Sequence, residues 1–129
     1  MVNQIDWEKK KKNWIHSVHT VFNDIKNWCS EKNWKFVETQ IFITEECVGS
    51  YPVPELRVTT NKGDINLEPV GMNIVGAQGR IDISSWPSLN RMLLIWLEDK
   101  WSLNTESRVP WPKPWSKQTF FDIADALTQ

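Results

Sequence analysis

Between Asp6 and Lys32 apolar side chains return every three or four residues. Trp7, Trp14, Val18, Val21, Ile25 and Trp28 form one stripe, with Lys11 filling a single gap, and Ile15, Phe22 and Cys29 widen it on one flank. This period predicts a helix of six or seven turns whose broad apolar face suits packing on a sheet. After Asn33 the spacing changes. Trp34 to Thr44 is rich in Val, Ile, Phe, Trp and Thr and reads as a strand, but its phase slips between Phe36 and Ile41. A one-residue bulge near Glu38 to Gln40 would account for the slip.

A loop is expected around Gly49, Pro52 and Pro54. Beyond it, Leu56 and Val58 alternate with Arg57 and Thr59, and Asn61-Lys62-Gly63-Asp64 turns the chain into Ile65-Asn66-Leu67. That is a hairpin signal. Pro69 and Gly71 interrupt the strand, Met72 to Val75 resumes it, Gly76 to Gly79 turns again, and Arg80 to Ile83 alternates. The run Met92 to Leu97 fits a buried helix or a buried strand. The turn residues Glu98-Asp99-Lys100, followed by Trp101 to Asn104, favour a hairpin arm. At the end of the chain, Ser116 is a good N-cap, and Phe120, Phe121, Ile123, Ala124 and Leu127 keep helical spacing. Trp115 precedes that cap and can staple onto Phe120. The expected fold is α+β: a mostly antiparallel sheet of four to six strands, with a long N-terminal and a short C-terminal helix on one face. Residues 1–129 read as a single domain.

Composition narrows the function. With 40% hydrophobic and 24% charged residues, 5 Gly and 7 Pro, the chain is neither disordered nor a fibre repeat. No apolar run reaches membrane-spanning length and no secretory leader is visible, so a soluble cytoplasmic protein is expected. A net charge of −1 argues against a general nucleic-acid coat. The charge is uneven, with seven lysines against four acids in residues 1–35 and five basic against ten acidic side chains in 36–106. Cys29 and Cys47 form no disulfide framework and read as free thiols.

Nine tryptophans are the chain's most unusual feature. Trp7, Trp14, Trp28, Trp34 and Trp96 fall within apolar patterns and read as core. Trp86, Trp101, Trp111 and Trp115 lie beside turns or inside Val109-Pro110-Trp111-Pro112-Lys113-Pro114-Trp115. Alternate prolines hold that strip extended, so it either straps the fold or offers Trp111 to a partner. Trp is prominent among residues that dominate binding energy. The candidate binding set is Trp111, Trp115, Lys113 and Arg108 from the strip, with Trp86 and Tyr51 from other loops.

Other features offer less chemistry. Lys9 to Lys12 fan around the helix as a solvated face. His16 and His19 have a chelating spacing but no evident third ligand, so no metal and no cofactor is expected. Gly71, Gly76 and Gly79 open no helix and form no dinucleotide fingerprint. Asp82 on a strand, followed by Glu98-Asp99-Lys100, resembles the Asp…Glu-x-Lys signature of the restriction-endonuclease-like nucleases, although Ile81 stands where that family has Pro. The resemblance implies Asp82 and Glu98 as ligands of a divalent metal that activates water, with Lys100 stabilising the developing charge.

These features favour a small non-enzymatic protein-interaction domain, of the size common among inhibitors and immunity proteins, whose partner is another protein. A metal-dependent nuclease built on Asp82, Glu98 and Lys100 is the main alternative. An aromatic pocket lined by two or more Trp, binding a nucleotide-like planar ligand, is the other.

Overall fold

A computed structural model describes residues 6–74, 77–105 and 113–128. The N-terminal stripe forms α1 (Trp7–Glu31), capped by the Asp6 carboxylate, which accepts the Lys9 amide at 3.0 Å. The helix stops where Asn33 turns left-handed at φ 57°. Trp34 N–H then reaches Cys29 C=O at 3.0 Å, and Asn33 N–H reaches Ser30 C=O at 3.3 Å. This is a Schellman ending, with Asn tolerating the conformation usually left to Gly.

Seven strands follow in a meander whose spatial order is the chain order: β1 (Lys35–Glu45), β2 (Gly49–Thr59), β3 (Asp64–Gly71), β4 (Gly79–Trp86), β5 (Arg91–Leu97), β6 (Lys100–Thr105) and β7 (Lys113–Pro114). All pairings are antiparallel. The final helix, α2 (Lys117–Leu127), has Ser116 as its N-cap, accepting from the Thr119 amide. The staple forms: the Trp115 and Phe120 rings lie 5.9 Å apart, edge to face.

Both helices cover the same face of the sheet. Trp14, Val18, Phe22 and Ile25 from α1 and Phe120, Ile123 and Leu127 from α2 share one core with Leu56, Val58, Ile65, Leu67, Ile81, Ile83 and Leu94. The closest approach is at Gly79, on which the Trp14 ring rests. Trp14 also lies 6.0 Å from Trp101, whose ring is 5.1 Å from that of Trp96.

Four local expectations change. The sheet has seven strands, not four to six. Pro52 and Pro54 lie inside β2 and not in a loop: β3 pairs only with residues 56–59, so the proline segment has β1 on one side and no strand on the other. A missing N–H is tolerated there. Of the expected strand Met72 to Val75, residues 72–74 make only an isolated bridge, from Ile74 to Ala77, and Val75 lies outside the described residues. Finally, β1 carries no bulge. Its register with β2 is unbroken from Lys35–Thr59 to Glu45–Gly49, and buried Val53 and Pro54 are neighbours in sequence. Both strands therefore change face together. The irregularity lies between Pro69 and Gly71, against β4.

Candidate functional site

The sheet face away from the helices has no second layer among the described residues. Directly opposed residues of antiparallel strands share a face. The pairs Arg57–Asn66, Asn66–Ser84 and Ser84–Arg91 therefore line up four polar side chains across β2, β3, β4 and β5. Sequence alternation makes this row, because Leu56, Val58, Ile65, Leu67 and Ile83 point the other way, into the core. At one end of the row the chain bends through Trp86 to Asn90, and the bend raises Trp86 and Leu89 above the sheet. They are 64% and 72% exposed. The result is a groove of about 430 Å³ floored by Asn66 and Ser84, flanked by Arg57, Arg91 and Asp64, and walled by Trp86 and Leu89.

The electrostatics of this face are graded. Asp82 is held by Arg80 at 2.6 Å and by Arg91 at 3.4 Å. Glu68 sits opposite Asp82. Partial burial pushes the Glu68 carboxyl above its ordinary value, and the negative charges of Glu55 and Asp82 add to the effect. Within the groove, Arg57 makes no ion pair with any described residue. The Asn66 amide oxygen is buried and has no donor.

The expected binding residues do not converge. Trp111 and Arg108 lie outside the described residues. Lys113 is exposed on β7, paired with Leu103, so this end of the Pro-Trp strip straps the sheet edge. Trp115 is half-buried, not presented: its ring lies 6.0 Å from Trp28, and its backbone N–H reaches the Trp101 carbonyl at 3.2 Å. Tyr51 is a core residue, 2% exposed, whose hydroxyl donates to the Glu45 carboxylate. That carboxylate also accepts the Met72 and Asn73 amides at 3.0 and 2.8 Å, so it anchors the chain after β3. Among the described residues of the set, Trp86 and Lys113 keep the surface position expected of them, Lys113 on the strapping strand and Trp86 on the open face. The sequence reading missed Arg57, Asn66, Ser84 and Arg91. Their signal was alternation with core residues on four strands, and it becomes a site only when strand register is known.

The nuclease arrangement does not assemble. Asp82 pairs with Leu93, and Glu98 lies five residues further along, roughly 16 Å away on an extended strand. Glu98 and Asp99 form the two-residue turn between β5 and β6, both with positive φ, as a type I′ turn requires. Among the described residues no group of three His, Cys, Asp or Glu side chains is placed to hold a metal ion. His16 and His19 are exposed on α1. No described helix is long and apolar enough to cross a membrane.

A larger hollow of about 800 Å³ lies between the end of α1, the β2–β3 turn and α2, with Trp34 and Phe121 in its wall. Three of its four charged residues are engaged internally. Lys62 pairs with Asp125, Lys32 lies 4.8 Å over the Phe121 ring, and the Trp34 indole donates to Asn61 at 3.3 Å. Each hollow has one Trp, so neither is the two-indole pocket expected for a planar ligand. Compared with protein families, with curated proteins and with solved structures, the chain matches none.

Proposed function

We propose that this chain is a small intracellular protein-interaction domain without enzymatic activity, acting as an inhibitor or immunity-type partner, and that it docks through the open sheet face around Trp86. One observation carries the reading: Trp86, 64% exposed, stands at the rim of a polar groove, on a face that no described helix covers. Folding has not used that apolar area, and a flat amphipathic ring beside hydrogen-bonding groups is the usual form of a dominant contact.

The test compares the wild type with Trp86→Ala and with Asp24→Ala, a substitution on the exposed side of α1, as baits for a binding protein. The expected result is a partner held by the wild type and by Asp24→Ala, bound by Trp86→Ala at least roughly thirtyfold more weakly. Thermal unfolding of the three chains should agree to within about 1 kcal/mol, because Trp86 contributes little to the core. Equal retention by Trp86→Ala, or no retained partner, refutes the proposal.

A further inference from the structure

The groove beside Trp86 offers several donors and an apolar wall. Arg57 and Arg91 stand at the two ends of the cross-strand row, three strand spacings or about 14 Å apart at the backbone, with their long arms on the same face. Arg91 shares its charge with Asp82, whereas Arg57 lines the groove with Asp64 and makes no ion pair with any described residue. Between them the Ser84 hydroxyl is a further donor.

We infer that the groove takes an acidic segment of the partner protein. In that arrangement a Glu or Asp carboxylate lies against Arg57 and Arg91, and a neighbouring apolar side chain packs on Trp86 and Leu89. Guanidinium forks match carboxylates in charge and in planar geometry. Asp64, opposite Trp86 on the adjoining strand, sets the direction. Its charge repels a second carboxylate from the aromatic end and leaves that end to an apolar residue. The inference rests on the docking proposal and specifies the partner's chemistry.

The probe is a blocked peptide, Gly-Leu-Glu-Leu-Gly, and its Gln twin, each titrated to about 10 mM, where a short segment with one charged anchor should be detected. Two-dimensional amide NMR of the whole chain gives the readout. The Glu peptide should shift the Asn66 and Ser84 amides and the Trp86 indole N–H saturably. The Gln twin should bind about tenfold more weakly, the loss expected from a charge-assisted hydrogen bond. Arg57→Gln, whose fold is verified by unchanged core amide signals, should abolish the preference. Absence of shifts, equal shifts from both peptides, or a preference that survives in Arg57→Gln overturns the acidic assignment. The two ideas fail separately. Partner capture that depends on Trp86 without any Glu preference leaves docking standing and removes the acidic segment. A Glu preference without Trp86-dependent capture does the reverse.

Discussion

Adding one methyl group at Gly79 tests the tightest contact in the protein. A Cβ built there stands 2.2, 2.4 and 3.0 Å from Cζ3, Cε3 and Cη2 of Trp14. Carbon atoms rest about 3.5 to 4.0 Å apart, so the ring would have to withdraw by roughly 1 to 1.5 Å. It has nowhere to go: Trp14 is 1% exposed, with Trp101 and then Trp96 packed behind it. Gly79 does not occupy the left-handed region, so alanine brings no backbone penalty and the cost is steric. Overpacking of this severity costs about 3 kcal/mol, the upper part of its usual range. In a chain of this size each kcal/mol moves Tm by roughly 3 to 5 °C, which puts Gly79→Ala roughly 10 to 15 °C below the wild type by calorimetry. All three clashing atoms belong to the six-membered ring of the indole. Trp14→Leu removes that ring, so the double variant should be at least about 1 kcal/mol more stable than the sum of the single changes in urea unfolding. A Gly79→Ala protein melting within about 2 °C of the wild type, or strictly additive changes, would refute the packing argument.

The two cysteines should differ sharply. Cys47 is exposed, whereas Cys29 is buried in the core and burial pushes its thiol up to about 11. One thiol per chain should therefore react quickly with a disulfide reagent near pH 8 and disappear in Cys47→Ser, leaving Cys29 to react only as fast as the protein opens. Two fast thiols would contradict the burial of Cys29. The Glu68 carboxyl has its folded value raised above its unfolded one, so the folded state holds the proton more tightly and ionisation opposes folding. Stability should then fall as pH rises from about 4 through the raised value. Glu68→Gln should raise Tm at pH 7 and leave it unchanged near pH 3, and a variant less stable at neutral pH would reverse the assigned sign.

What could be read along the chain was what neighbouring residues decide among themselves. The α1 stripe, the Ser116 cap with its Trp115 staple, the hairpin at Asn61 to Asp64 and the turn at Glu98-Asp99 depend on interactions a few residues long, and all four formed. The Met92 to Leu97 run was settled as a strand by that same turn. Places where the reading failed depend on a distant partner. Pro52 and Pro54 are tolerated in β2 because the pairing of β3 with β2 stops at Leu56, and the phase change in β1 is matched by β2.

The candidate site divides in the same way. Sequence alone determined that the chain holds more indole than a core stripe requires and that Trp86 lies outside the apolar pattern. It also determined that Arg57 and Asn66 stand between apolar neighbours and that Ser84 and Arg91 each adjoin one. Only the tertiary structure decided that these four form one row, that Tyr51 turns inward to Glu45, and that Asp82 and Glu98 stay apart. The physical reason is register. A strand alternates its side chains every two residues wherever it lies, but which residues of other strands stand opposite is set by the whole sheet packing against α1 and α2.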